Sequence, residues 1–216
     1  MCFNAEVSLL TYVVGLVGCS ILFLDKNINY KPEALFLFWV VQMQLIEFVL
    51  WKNQPSGQLL GINSCNTINR YTSKIGLLIN NSEPLILWIA IILFSKKKLP
   101  VWLHGIMLLY MSSSVLYNYN IDDSCTTTTV ESLPHLKWKW NNGSYSFIFY
   151  TFFLLCCILL SIYGLEHGYH LAFVFLISFI LSYSIYKKTH AIGAMWCFFA
   201  AFAPFLLPLI YKIKFL

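Results

Sequence analysis

The sequence predicts an all-α polytopic membrane protein, built as a single domain over residues 1–216. Two observations predict this class. Hydrophobic residues make up 59% of the 216 residues and charged residues only 11%, whereas a soluble domain is typically about one quarter charged. The mean hydropathy of +0.70 agrees with this composition. Such a chain has too few polar side chains to cover a surface that faces water. Its net charge of +5 is small and scattered, so nucleic acid is not an expected partner.

Seven apolar runs divide the chain. Each is near the ~20 residues that a helix needs to cross ~30 Å of hydrocarbon. Backbone groups in lipid must be satisfied internally, and the alternating ten-residue pattern of a barrel is absent, so we expect a bundle of about seven transmembrane helices. No Lys or Arg precedes the first run, which we therefore interpret as a retained helix rather than a signal peptide. The predicted spans are 7–24, 35–51, 75–94, 101–117, 145–163, 168–186 and 191–211.

The two longest connections, Lys52–Lys74 and Asn118–Ser144, each carry one cysteine. With seven spans, the Lys and Arg residues divide seven to seven between the two sides, so their count does not orient the chain. The tighter clustering at the helix ends of the C-terminal side favours an N-terminal side that faces outward or into a lumen. Cys65 and Cys125 would then lie in an oxidising compartment, which predicts a disulfide between them. Two free thiols are the alternative, and Cys2 could compete for the bond.

Polar side chains interrupt the second and third spans. In the stretch "VVQMQLIEFVLWK", Gln44 and Glu47 fall on one helix face, and in "INNSEPL" Asn80 and Glu83 do the same. Counting inward from the connection Lys52–Lys74 at 1.5 Å per residue sets Glu47 level with Asn80, and Gln44 level with Glu83. This predicts two polar pairs facing each other across an antiparallel helical hairpin. A kink is also expected at the proline that follows Glu83.

Further polar groups fall toward the same side of the membrane. Ionisable residues inside a span usually face a protein interior or a wet cavity. The sequence therefore predicts a polar cavity open to the N-terminal side, although polar residues that only join helices are the competing interpretation. The residues assigned to the cavity are Cys2, Asn4, Glu6, Gln44, Glu47, Asn80, Glu83, His190 and Trp196.

The opposite side carries its own cluster of histidines. His104 lies near one connection, and "LEHGYH" supplies Glu166, His167 and His170. Two histidines and a carboxylate are weak candidates for zinc ligands, because a third strong ligand is required. Histidines at this depth usually lie at the level of the lipid headgroups. No metal or other cofactor is expected.

Three stretches carry a resemblance to a known family. These are "MCFNAEVSLLTY" at the start, "MQLIEFVLW" in the second span and "HAIGAMWCF" in the last span. Together they resemble a family of small multi-pass membrane proteins encoded by giant DNA viruses and algae. The resemblance implies origin and topology, and it implies no activity. On the predicted topology all three stretches lie on the same side as the cavity.

Several familiar seven-helix classes do not fit. A retinal protein needs a lysine in its last span, and 191–211 contains none. The zinc-dependent lipid hydrolases that resemble alkaline ceramidase or adiponectin receptors use an intramembrane aspartate, whereas Asp25, Asp122 and Asp123 all lie in predicted connections. A sugar transporter of three-plus-one-plus-three helices should show an internal repeat, and the chain shows none.

The remaining hypotheses come from different classes. The favoured one is a binding, permeation or sensor-type bundle, with the lipid bilayer as partner and a small ligand, ion or proton in the cavity. The first alternative is a membrane-embedded lipid hydrolase that uses Cys2, or Glu47 with His190. The second is a structural viral membrane protein. No nucleophile, base and orienting group occur at a defined spacing, which disfavours an enzyme. The expected location is a membrane, either a host endomembrane or a virion membrane if the chain is viral.

Overall fold

The computed structural model describes residues 4–54, 66–120, 125–128, 135–138, 145–186 and 192–211. Over these ranges the fold is all-α, with one two-stranded antiparallel pairing of short strands. A 3-10 turn, Ile28–Tyr30, leads directly into the second helix. The elements are α1 Ala5–Leu24, α2 Lys31–Lys52, α3 Thr67–Phe94, α4 Val101–Tyr119, β1 Thr127–Thr128, β2 Leu136–Lys137, α5 Ser146–Gly164, α6 Gly168–Tyr186, α7 Ile192–Ala200 and α8 Ala203–Ile210.

Five helical segments of the described chain are long and apolar enough to cross a membrane. They are α1, the 3-10 turn together with α2, α3, α5 and α6. The predicted last span is instead two short helices, α7 and α8, bent by 56°, and counting them as one gives six. Pro204 lies at the start of α8 and cannot donate a backbone hydrogen bond, which suits a break at this point. The predicted fourth span forms α4, but it is not among the apolar segments. The count of seven is therefore not confirmed.

Asparagine side chains set the beginnings of two helices. Asn4 caps α1, its Oδ1 accepting a 2.8 Å hydrogen bond from the Val7 amide. Asn66 caps α3 in the same way, with the Ile68 amide as donor. Because of this cap, α3 starts eight residues before the predicted start of the third span, and the connection after α2 is shorter than predicted. The helix α3 continues through Pro84.

The helix α2 lies at the centre of the bundle and packs mainly against α1 and α3. Its residues Phe36, Leu37, Val40 and Val41 are almost completely buried. The helix α1 approaches it closely at Gly15, where an added Cβ would lie 2.7 Å from a methyl group of Val41. Small residues are typical of such close helix contacts in membrane bundles. Buried apolar side chains of α2 therefore fill the middle of the bundle where this helix packs against α1.

The connection between α4 and α5 folds back over one end of the bundle. Thr127 pairs with Lys137, and Thr128 with Leu136. Leu136 and Trp138 are buried in a cluster with Ile46 and other apolar residues of α2, α3 and α7. The connection is thus packed onto the helices at the end where α2 finishes and α3 begins.

Candidate functional site

Direct contacts fix the register between α2 and α3. The indole nitrogen of Trp39 donates to the hydroxyl oxygen of Ser82 at 2.8 Å and to the carbonyl oxygen of Ile79 at 3.1 Å. Seven residues further along α2, Ile46 faces Gly76, where an added Cβ would lie 2.9 Å from the Ile46 methyl. The two helices run antiparallel, so Glu47 lies about level with the residues just before Gly76.

This register corrects the predicted polar pairs. Gln44 is about level with Gly76 rather than with Glu83, and Glu47 lies well beyond Asn80 toward the end of the bundle. The physical reason is the early start of α3, because counting inward from Lys52 and Thr67 gives the observed alignment. Glu47 and Glu83 are then separated by roughly 12–15 Å along the helix axis at 1.5 Å per residue. They are too far apart to share one proton.

The outer of two polar layers contains Gln44 and Glu47. Both side chains are fully buried, and the amide nitrogen of Gln44 donates to Oε2 of Glu47 at 3.3 Å. The α4–α5 connection covers this end through Thr126, whose amide donates to the side-chain oxygens of Asn69 and Ser73 at 3.1 and 3.2 Å. The Thr126 carbonyl accepts a 3.0 Å bond from Asn69 in return. The predicted opening to the N-terminal side is therefore overlaid by folded chain.

The residue next to Thr126, Cys125, is disulfide-bonded. Its sulfur lies 3.9 Å from the carbonyl oxygen of Asn66, and Asn66 directly follows the predicted partner Cys65. Cys65 itself lies outside the described residues, so this pairing stays a prediction. Cys19, Cys156, Cys157 and Cys197 are buried and do not take part in a disulfide bond.

The inner polar layer is built around Asn81, which is 1% exposed. Its amide nitrogen donates to Oδ1 of Asn118 at 2.6 Å, and its backbone carbonyl accepts a 2.8 Å bond from the hydroxyl of Tyr110. The neighbouring Asn80 donates to Asn81 and, at 3.4 Å, to the hydroxyl of Tyr150. These bonds direct the asparagine pair toward α4 and α5, and not toward Glu47.

Glu83 lies beside this layer and is 4% exposed. Its Oε1 is fully buried and accepts no hydrogen bond from the described residues. Its carboxyl group is close enough to Tyr110 and Cys157 to interact with them electrostatically. Among the described residues, no lysine or arginine forms an ion pair with Glu83.

Other residues assigned to the cavity lie elsewhere. Asn4 is an exposed helix cap, and the exposed Glu6 pairs with Lys52 at 3.4 Å on the surface. Trp196 donates to the hydroxyl of Ser178 at 2.9 Å and packs among phenylalanine rings of α5 and α6. The predicted cavity residues Cys2 and His190 lie outside the described residues.

The histidines on the opposite side do not form a metal site in the described part of the chain. No group of three or more His, Cys, Asp or Glu side chains there is arranged to hold a metal ion. The Nδ1 atom of His104 accepts a 3.0 Å bond from the indole nitrogen of Trp88. Glu166 is exposed. His167 and His170 contact each other with ring centroids 5.9 Å apart. Burial and the nearby His170 lower the pKa of His167 below its usual value.

Two buried polar residues were missed by the sequence interpretation. Glu33 falls in a predicted connection because the second predicted span begins at residue 35, although a glutamate on the same helix face as Glu47 is a usable signal. The 14 positions between Glu33 and Glu47 amount to almost four turns. The sequence does not single out Asn81, because its neighbour Asn80 shares a helical face with Glu83. Only the contacts with α4 distinguish the two asparagines.

Comparison with known proteins gives one distant similarity. The chain is 25% identical over 235 residues to a protein of Acanthamoeba polyphaga mimivirus that is described as uncharacterised. The alignment covers 96% of this chain and 94% of that protein. No protein-family model and no solved structure matches the chain. The similarity fits a relationship to giant-virus proteins, and it assigns no activity.

Proposed function

We propose that this chain is a multi-pass integral membrane protein whose helical bundle binds a proton or a small cation at Glu83. Its apolar helices support the membrane assignment, because many large hydrophobic side chains face outward from the bundle. Leu10, Leu109 and Phe147 are exposed by 66%, 67% and 81%. Contiguous apolar surface of this kind is suited to lipid and is rare on soluble monomers. A host endomembrane or a virion membrane is the proposed location.

The single observation that carries the binding function is the unpaired oxygen of Glu83. A buried carboxylate is normally paired with a cation or hydrogen-bonded. The contrast with Asn81 is informative, because Asn81 joins three helices through its hydrogen bonds and behaves as a structural residue. Glu83 makes no such bond through Oε1. Its carboxyl group is therefore placed to take up a proton or a small cation.

The outer layer lies between Glu83 and the end of the bundle that bears the α4–α5 connection. Gln44 and Glu47 supply further buried acceptors and donors along α2. We infer that a proton or ion reaches Glu83 from this end, past Glu47 and the Asn80–Asn81 pair. Permeation across the whole bundle would also require passage through the buried apolar residues beyond Glu83, among them Phe36 and Leu87.

This end of the bundle is proposed to face outward or into a lumen. The disulfide at Cys125 supports this orientation, because disulfides persist in oxidising compartments. The lipid-hydrolase alternative depends on Cys2 and His190, which lie outside the described residues, and no described contact favours it. A purely structural role remains as one outcome of the experiment.

Infrared difference spectroscopy of the purified full chain tests the proposal. A protonated carboxyl group should give a C=O band that persists at a pH where a free glutamate, with a pKa of ~4.3, is ionised. Glu83→Gln should remove the Glu83 component of that band, whereas the matched control Glu6→Gln, at an exposed ion pair, should leave the band unchanged. A proton-flux assay in liposomes then separates permeation from binding alone. If Glu83→Gln alters neither the spectrum nor the flux, Glu83 has a structural role.

A further inference from the structure

A third buried carboxyl group lies at the start of α2. Glu33 is in the first turn of the helix and is 0% exposed. Its Oε2 accepts a 2.6 Å hydrogen bond from the hydroxyl of Tyr211, which follows the last residue of α8. Its Oε1 is buried and accepts no hydrogen bond from the described residues. Leaving a buried acceptor unpaired is costly. A ligand that donates a hydrogen bond to Oε1 would remove this cost.

Aromatic rings surround this carboxyl–hydroxyl pair. Tyr30 stacks on Tyr211 with ring centroids 5.7 Å apart, and His167 stacks on the same ring at 4.3 Å. His170 meets the Tyr211 ring edge-on at 5.3 Å. Tyrosine faces attract cations through their quadrupole, and the attraction grows when the cation is desolvated. The cluster therefore offers an open carboxyl acceptor beside ring faces suited to a positive group.

Neighbouring lysines do not supply that positive group. The amine of Lys97 donates to the carbonyl oxygen of Leu165 at 2.7 Å. The amine of Lys31 lies over the ring of Phe23, 5.7 Å from its centroid. Among the residues that the structure describes, none forms an ion pair with Glu33. The carboxyl group thus has an open acceptor and no internal counter-ion in this part of the chain.

We propose that Glu33, with the rings of Tyr30, His167 and Tyr211, forms a binding site for a primary ammonium group. The open acceptor is Oε1, so the ligand must bring an N–H donor. A quaternary ammonium has none and would leave Oε1 unpaired. Access requires the partly exposed Tyr211 side chain to move aside. Glu33 lies in the first turn of α2, and this site does not depend on the function proposed for Glu83.

Two sources could deliver a primary ammonium group to this place. One is the ethanolamine headgroup of a phospholipid, and the other is a free alkylamine. The exposed run Lys96, Lys97 and Lys98 lies in the connection between α3 and α4, and Lys97 is close enough to interact electrostatically with His167. These charges would complement the phosphate of a headgroup, which favours the lipid as the source.

The experiment uses the full chain in nanodiscs of choline phospholipid, with and without a minor fraction of ethanolamine phospholipid. Retained lipid is measured by native mass spectrometry. We expect the ethanolamine lipid to be retained about tenfold over the choline lipid, in line with one charged hydrogen bond, and Glu33→Gln to abolish the preference. Glu166→Gln removes an exposed carboxylate on the same side and should keep it. Ethanolamine added to discs of choline lipid tests the free amine as the source.

Two further variants keep the proposal testable if Glu33→Gln does not fold. Tyr211→Phe leaves the carboxylate in place and frees its second oxygen, so the preference for the ethanolamine lipid should be kept or should rise. Tyr30→Leu removes one ring face and should weaken the preference. If the wild-type protein retains neither ethanolamine lipid nor free ethanolamine over choline compounds, the proposal is wrong. The proposal is also wrong if the Glu33→Gln protein folds and keeps the wild-type preference for the ethanolamine lipid.

Discussion

Trp39 of α2 and Ser82 of α3 lie 2.8 Å apart, measured from indole nitrogen to hydroxyl oxygen. The Ser82 hydroxyl itself donates to the carbonyl oxygen of Ile79 at 2.8 Å, and the indole nitrogen reaches the same carbonyl. This three-way contact joins the two helices inside the bundle. It also fixes the alignment that sets Glu47 and Glu83 at different depths.

Trp39→Phe should lower the stability of the bundle without changing the helix alignment. The bond from Ser82 to Ile79 survives, so the loss is that of the indole hydrogen bonds, ~0.5–1.5 kcal/mol, together with some packing. Thermal unfolding in detergent measures the effect. Trp102→Phe is the matched control, since Trp102 is 48% exposed and should tolerate the change. Equal losses in the two variants would contradict the role assigned to Trp39.

Glu83→Met should stabilise the protein while removing its proposed binding function. The substitution keeps the length of the side chain and eliminates an unpaired buried oxygen, whose cost is ~1–3 kcal/mol. Asn81→Leu should do the opposite and destabilise the protein, because the half-buried Asn118 and Tyr150 would lose their hydrogen bonds with Asn81. Chemical or thermal unfolding compares the two. A destabilised Glu83→Met protein would indicate that Glu83 holds the helices together.

The free energy of unfolding should fall in mild acid because His167 takes up a proton more readily in the unfolded chain. The pKa of His167 is lowered in the folded protein, by burial first and by His170 second. The unfolded chain therefore takes up a proton at a higher pH than the folded protein does. The contribution of neutral His167 to the free energy of unfolding is fully present above about pH 6.5, the ordinary pKa of histidine. It is lost as the pH falls below that value. His167→Gln should flatten the dependence of the unfolding temperature on pH between about 6.5 and 5. An unchanged slope would contradict this assignment.

Two glycines should respond in opposite ways to substitution by alanine. A Cβ on Gly168 would clash with the backbone carbonyl of Ser161, where α6 turns back on α5, so Gly168→Ala should prevent or severely weaken folding. A Cβ on Gly105 would meet nothing within 4 Å. Because glycine is unfavourable within a helix, Gly105→Ala should stabilise α4 by up to ~1 kcal/mol. Expression level and unfolding temperature distinguish the two. Similar behaviour would show that α5 and α6 are not packed as described.

The disulfide should be visible as a change in electrophoretic mobility on reduction. We expect Cys65→Ser and Cys125→Ser each to abolish the change, whereas Cys2→Ser should keep it. Cys125→Ser should also lower the unfolding temperature, because the cross-link restricts the unfolded chain. If Cys2→Ser removes the mobility change and Cys65→Ser does not, Cys125 is paired with a different residue from the one predicted.

Most helices could be predicted from the sequence because apolar length alone determines them. The runs beginning at Val7, Tyr145 and Gly168 became α1, α5 and α6 with small differences at their ends. The last span was predicted as one straight helix because hydropathy carries no information about a bend. The prolines in α8 are the signal for that bend. Helix starts depended on capping side chains such as Asn66, which lie outside any apolar run.

The polar sites were harder to predict than the helices. Glu47 and Glu83 were recognised because a carboxylate in an apolar run is conspicuous, and both are buried. Their relative depth could not be predicted, since an error of eight residues in the start of α3 moves every facing pair by about two turns. The partners of Asn81 come from α4 and α5, and no local pattern in the sequence specifies such contacts.

The buried face of α2 has a consequence for how the chain enters a membrane. Released alone into hydrocarbon, α2 would expose Glu33 and Glu47 to lipid. Acidic residues raise the insertion free energy, by up to roughly 3 kcal/mol at the centre of a helix. The helix α3, if released alone, would likewise expose Glu83 to lipid. The more apolar α1 carries one acidic residue, at its exposed end. We therefore expect α1 to leave the translocon first, and α2 to be held at the protein-conducting site until α3 is synthesised. The two would then partition into the bilayer together as a preformed hairpin.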